Sequence, residues 1–258
     1  MPATPQRSYI VWHSQRTGST LLCTALENTH VAGVPNEWPS PRIEALLPPA
    51  GANADPATIR QALWESQTAG GVFGMKWSFH AAAMTSFIAA FGALAPPGPD
   101  HRRDVWNAVF PNCSHVITGR RNRVWLAVSW WKSISGGAGH RSASGERLPW
   151  QTTVPAEPDD LVAAYDFNDI KVIPIESVER EAGISEFIAE LGATALTVVY
   201  EDFAANYEGT VQRVLDHIGG MVTSTPVPPS MLAPTTDAIN DRWTARFLAE
   251  LADEREQN

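Results

Sequence analysis

Cysteine is scarce in this chain. With Cys23 and Cys113 the two among 258 residues, no disulfide framework and no zinc-type cysteine cluster can hold it together. Basic residues are in deficit as well: 19 Lys and Arg stand against 28 Asp and Glu, a formal net charge of −9. Such a balance lacks the basic footprint that nucleic-acid binding requires, so any anion site must be local. Long apolar runs are missing too. The longest, Ala81 to Ala95, contains Thr85, Ser86 and Gly92 and is too short to span a bilayer; it reads as a helix against the core, and no membrane span is expected. Met1 to Ser8 is short and polar and runs straight into an apolar strand, which argues against a secretory signal and for a cytoplasmic protein.

What is present is globular in composition. At 44% hydrophobic and 18% charged, the chain can bury a sizeable core, expected as one domain over residues 1–258. Strand patterns at Tyr9 to Trp12, Gly71 to Trp77, Ser114 to Gly119 and Leu196 to Tyr200 alternate with helical spacing at 21–26, 57–69, 81–95, 124–132, 207–218 and 238–251. That alternation predicts a parallel sheet covered by helices, with ligands at the C-terminal ends of its strands. The stretch from Ile170 to Ile175 reads as a strand or as part of a long helix interrupted at Pro174. Pro48 to Pro56 and Pro226 to Pro234 read as irregular connections, and 136–145, rich in Gly and Ser, as a flexible loop of the kind used as a lid.

The segment from Tyr9 to Leu26 carries the clearest chemistry. A β-branched and aromatic run leads through His13-Ser14-Gln15-Arg16-Thr17-Gly18-Ser19-Thr20 into a helix, which sets free backbone N–H groups at a helix N-terminus where an anion is favoured. Gly18 lets the backbone approach the anion, Ser19 and Thr20 add hydroxyls, and Arg16 supplies a fixed charge with a two-pronged fork. A nucleoside-triphosphate loop would read G-x-x-x-x-G-K-[ST]; here His13 stands at its first Gly and Ser19 at its Lys. The charge lies before the glycine instead of after it. A second strand end, Arg120-Arg121-Asn122-Arg123, runs into a helix carrying Ser129, and the spacing from Arg121 to Ser129 suits two groups converging on a second phosphate.

In their order and spacing these segments resemble the sulfotransferases that use 3′-phosphoadenosine 5′-phosphosulfate, and within them the bacterial trehalose 2-sulfotransferase-like family, from about Ser8 to Phe247. The resemblance implies a three-layer αβα fold with a central parallel sheet, similar to P-loop-containing nucleoside triphosphate hydrolases. It implies that Gln15, Arg16, Thr17, Gly18, Ser19 and Thr20 take the donor's 5′-phosphosulfate, and that Arg121 and Ser129 hold its 3′-phosphate. Gly33-Val34-Pro35-Asn36-Glu37-Trp38 is similar to the family segment whose Glu is the general base, which assigns that part to Glu37. Gly74-Met75-Lys76 resembles the Gly-x-Lys strand end, setting Lys76 near the transferring group, and Val199-Tyr200-Glu201-Asp202-Phe203 resembles a Tyr-Glu-Asp-Leu type segment.

The chemistry read from residue types agrees with this. Sulfuryl transfer expels a phosphate, so it needs cations and N–H donors at the leaving oxygen and a base for the attacking hydroxyl. Arg16 and Lys76 supply the first and Glu37 the second, with no metal required. The acceptor is expected to be a small molecule or glycan, with Trp38, Trp77 and His80 as candidate pocket residues. The resemblance further implies a homodimer. Two other readings stand beside it: a small-molecule kinase with an atypical phosphate loop, and a nucleotide-binding module of the same fold without catalysis.

Overall fold

The computed structural model describes residues 4–38, 55–146, 148, 155–219 and 226–257. In chain order its main elements are β1 (Arg7–His13), α1 (Ser19–Asn28), β2 (Asn36–Trp38), α2 (Pro56–Gln67), β3 (Thr68–Ala69), β4 (Val72–Ser78), α3 (Ala81–Phe91), α4 (His101–Val109), β5 (Cys113–Gly119) and α5 (Arg123–Ile134). There follow β6 (Arg141–Ser142), α6 (Pro158–Ala163), α7 (Phe167–Glu190), β7 (Ala195–Val199), α8 (Tyr200–Ala205), α9 (Tyr207–His217), β8 (Leu232–Ala233) and α10 (Ala238–Gln257). These group into two compact units, Met1–Gly119 with Arg180–Pro229, and Arg120–Glu179 with Ser230–Asn258.

The first unit is a three-layer α/β/α arrangement. Its strands lie in the order β2-β4-β1-β5-β7, all parallel, with β3 antiparallel on β4. Alternate residues of a strand face opposite sides, and the sequence uses both sides for core. Ile10, Trp12, Phe73, Met75 and Trp77 pack on one side with residues of α2, α3, α4 and the end of α7. Tyr9, Val11, Val72 and Val116 pack on the other with α1 and α9. Trp12 is the centre of the first layer. Its ring lies 5.7 Å from both Trp77 and Trp106, and its Nε1 donates to His115 Nδ1 at 3.0 Å. Gly74 leaves room for Tyr9. A Cβ there would meet the Tyr9 hydroxyl at 2.6 Å, and that hydroxyl crosses over to donate to Ala32 O.

The second unit is built on α5, α6, the first part of α7 and α10, around Leu126, Trp130, Ile170, Ile173, Trp243 and Phe247. Lys132, buried on α5, fastens α10 through bonds to Asp237 Oδ2 and Asn240 Oδ1, each at 2.7 Å, and to Thr235 O at 3.2 Å. Two expectations change here. Helix α7 runs through Pro174 without interruption. Proline costs a helix interior about 3 kcal/mol, but buried Ile170 and Ile173 before and at the proline's own turn, and Ile184, Phe187 and Ile188 beyond it, anchor both of its ends in hydrophobic cores. The loop expected to be flexible at 136–145 is tied down: Arg141 and Ser142 pair antiparallel with Ala233 and Leu232, and Ala143 N donates to Met231 O at 2.9 Å. Of the irregular connection expected over Pro48 to Pro56, residues 48–54 lie outside the described residues, and Asp55 and Pro56 are the N-cap and first residue of α2.

Candidate functional site

Strand parity assembles the site in the first unit. Glu37 is the register partner of Lys76, and Lys76 of Val11; one step later, Trp38, Trp77 and Trp12 are partners in turn. The Glu37-Lys76 row therefore faces the α1 side and the Trp row faces the opposite core. Two residues further along, His13 pairs with Ser78 and with Thr118, which returns to the Lys76 side at the strand ends. His13, Glu37, Lys76, Ser78 and Thr118 thus share one face at the mouth of the loop leaving β1.

That loop is shaped for an anion. Arg16 has φ 53° and Gly18 φ 82°, both left-handed, and the non-glycine outlier at Arg16 stores strain of about 1–3 kcal/mol. Gly18 is the N-cap of α1 and brings no capping side chain, and no acidic residue stands in the helix's first turn. This places the first N–H groups of α1 at the loop, where an anion is favoured. Gly18 is required on a second count: a Cβ there would lie 2.7 Å from Cδ2 of Tyr200, whose ring covers the loop. Thr17 Oγ1 meets Thr118 Oγ1 at 2.7 Å, and Thr118 donates on to Trp12 O. The entry to the loop is braced from α7, where Arg180 Nη1 donates to Ser14 O at 3.2 Å and to Ser78 Oγ at 3.1 Å. Ser78 Oγ also accepts from Gln15 Nε2 at 3.0 Å.

Lys76 joins the loop to Glu37. Its Nζ is 2.6 Å from Glu37 Oε2 and donates to Thr20 Oγ1, in the first turn of α1, at 3.1 Å. The other carboxylate oxygen, Oε1, lies 3.3 Å from His13 Nε2. Burial alone would raise the Glu37 carboxyl, but contact with His13 and the charge of Lys76 outweigh it and hold the group well below the usual carboxylate range. Glu37 is ionised at any physiological pH. Burial, with the Lys76 and Arg180 charges adding to it against Glu37, lowers His13, so its imidazole is neutral. Burial pushes the thiols of Cys23 and Cys113 up to about 12, which leaves neither as a nucleophile. Among the described residues no group of three or more His, Cys, Asp or Glu is arranged to hold a metal ion.

Other expected site residues fall elsewhere. Trp77 was read as an acceptor-pocket residue, but it is wholly buried, stacked 5.7 Å from Trp12 and edge-on to Phe87 at 5.0 Å. Trp38, 8% exposed, packs edge-on to Phe87 at 5.6 Å. The reason is parity: neighbours of Lys76 and Glu37 in their strands must face the other way, so neither indole offers a face on the Lys76 side. His80 is exposed at the N-cap of α3 and makes no capping bond. Arg121 and Ser129 belong to the second unit. There Arg121 is exposed ahead of the cap residue Asn122, whose side chain accepts from Trp125 N at 2.9 Å, and Ser129 is buried on the second turn of α5. Sequence reasoning gave no part to His13, Ser78, Thr118, Tyr200 or Arg180. Parity counted from Lys76 would have found the first three; nothing local marks Arg180, 166 residues from the loop it braces.

Residues 8–250 match the family model described as Stf0 sulphotransferase. The chain is 28% identical over 271 aligned positions to trehalose 2-sulfotransferase of Mycobacterium tuberculosis, with 95% of each chain covered. Among solved structures it is similar to a sulfotransferase from Alicyclobacillus acidocaldarius, with TM-score 0.45, 14% identity and 97% of this chain and 94% of that one covered. It is similar also to the sulfotransferase domain of the Synechococcus PCC 7002 olefin synthase, with TM-score 0.42, 12% identity and coverage of 98% and 97%.

Proposed function

The chain belongs to the Stf0 sulphotransferase family, and from that footing we propose that it moves a sulfuryl group from 3′-phosphoadenosine 5′-phosphosulfate to a hydroxyl of a carbohydrate, with Glu37 as general base. The observation that carries this reading is the position of Lys76 between Glu37 Oε2 at 2.6 Å and Thr20 Oγ1 at 3.1 Å. One ammonium reaches both the carboxylate that would take a proton and the helix end that would hold the donor. A related enzyme, 28% identical, is named for trehalose, which makes a disaccharide the first acceptor to try.

The acceptor oxygen attacks sulfur while the bond from sulfur to the phosphate oxygen breaks; its electron pair stays on that oxygen, and the acceptor proton passes to Glu37. The N–H groups at the start of α1, Arg16 and Lys76 meet the charge growing on the leaving phosphate. While His13 and Lys76 both hold Glu37, the carboxylate is a weak base. A shift of Lys76 toward the donor at Thr20 strengthens Glu37 when it is needed. The roles of Arg121 and Ser129 on the 3′-phosphate carry over from the family motif. Cytoplasmic location and a homodimer are proposed on the same ground.

Glu37→Gln and Lys76→Met test the reading, assayed for sulfuryl transfer to trehalose and by calorimetry for binding of adenosine 3′,5′-bisphosphate. Each is expected to lower kcat by roughly 10²–10³-fold while Glu37→Gln binds the bisphosphate as the parent does. Full turnover in Glu37→Gln would remove it as the base.

A further inference from the structure

The loop's opening position carries a feature that the reading above does not use. Where a nucleotide loop has glycine this chain has His13, 1% exposed at the end of β1 and on the same face as Lys76. Its Nε2 is 3.3 Å from Glu37 Oε1, and neither ring nitrogen completes a hydrogen bond with a described residue. A buried polar group so placed costs about 1–3 kcal/mol relative to a satisfied one. An apolar side chain would fill the space at lower cost, so packing alone does not account for an imidazole here. The charged groups facing it are Glu37 from β2, Lys76 from β4 and Arg180 from α7; its cross-strand partners Ser78 and Thr118 are uncharged.

The two oxygens of Glu37 are therefore divided between two partners, Oε1 toward His13 and Oε2 toward Lys76. We infer that His13 is a positioning residue for Glu37: when Lys76 turns to the donor, the His13 Nε2–H, 3.3 Å from Oε1, takes that oxygen, so that Oε2 is the one left to take the acceptor's proton. The inference rests on the reading of Glu37 as the base. A neutral imidazole suits the part, since it offers one N–H to an acceptor-only carboxylate. Lys76 does not aim Glu37 once its ammonium has turned to the donor at Thr20. Once Lys76 leaves, a carboxylate without His13 would turn freely about its last bond and lose its aim.

The test uses the full chain saturated with adenosine 3′,5′-bisphosphate, with 13C-labelled glutamate and the Glu37 carboxyl signal assigned through Glu37→Gln. In His13→Phe the Glu37 titration midpoint is expected to rise by about one pH unit, because a partner of the ionised form is gone. His13→Gln carries an amide nitrogen to the place of Nε2 and restores the midpoint; His13→Asn is one methylene shorter and does not. In separate samples given 3′-phosphoadenosine 5′-phosphosulfate and trehalose in place of the bisphosphate, turnover falls about tenfold in His13→Phe and His13→Asn and recovers in His13→Gln. Should His13→Phe fail to fold, the contrast between Gln and Asn decides. One Glu37 midpoint shared by the parent and all three variants overturns the role of His13. Normal turnover in Glu37→Gln overturns the base reading itself, and the two failures are read from different samples.

Discussion

Gly18 answers to two constraints at once, a left-handed backbone at φ 82° and the Tyr200 ring 2.7 Å from where a Cβ would stand. Gly18→Ala is therefore expected to lower stability by about 1–2 kcal/mol from the backbone alone, with more from the clash, and to weaken bisphosphate binding. Adding Tyr200→Ala removes the clash but leaves the backbone strain, so the double variant recovers only part of the loss in a denaturant midpoint. Complete recovery would show that the left-handed turn costs nothing. Glu37 has a consequence for acid stability. Its folded value lies below the ordinary one, so its pairing with His13 and Lys76 stabilises the fold fully above the usual carboxylate range, and that contribution is lost progressively as pH falls below that range toward the lowered folded value. At this scale the sequence was most legible where chemistry is local. The loop, Glu37 and Lys76 could be proposed from residue types and motif order, and the structure brings them together, whereas Trp38 and Trp77 lie buried on the opposite face because a motif read as a string ignores which way its neighbours face.

Elements were legible where their period is strong. The strand pattern at Gly71 to Trp77 became Val72–Ser78, and the one at Ser114 to Gly119 became Cys113–Gly119. Three features were hidden. Arg180 reaches its loop through tertiary packing, the two-residue ladder of β6 and β8 has too few residues to show a period, and the continuity of α7 through Pro174 is a contest that local propensity loses. This last point has a measurable side. Pro174 lies inside a 24-residue helix, so Pro174→Ala should restore a helical N–H donor and raise stability by about 2 kcal/mol, or about 4–8 °C in Tm for a chain of this size. A fall in Tm would mean that the proline fixes a bend that the packing of α7 needs.

Over the whole molecule, stability should depend on pH through the buried core as well as the site. His115 is 1% exposed and accepts from Trp12 Nε1, and burial, helped by the charge of His217, lowers its pKa to about 4. A histidine lowered in the folded state favours its neutral form there. Stability is then full above about 6.5 and falls as pH drops toward 4, by about 3 kcal/mol in all. Denaturant midpoints of the parent and His115→Gln at pH 7 and pH 4.5 check this: the difference between them should shrink in acid, and a constant difference would contradict it. In this acidic chain, with net charge −9, the proposed donor would be held by backbone N–H groups, Arg16 and Lys76, a local grouping that overall composition does not reveal. The most direct test of the central claim is mass spectrometry of trehalose incubated with 3′-phosphoadenosine 5′-phosphosulfate and either the parent or Glu37→Gln. A gain of one SO3 with the parent, lost in a variant that still binds adenosine 3′,5′-bisphosphate, is the expected result; equal sulfation by both proteins would contradict it.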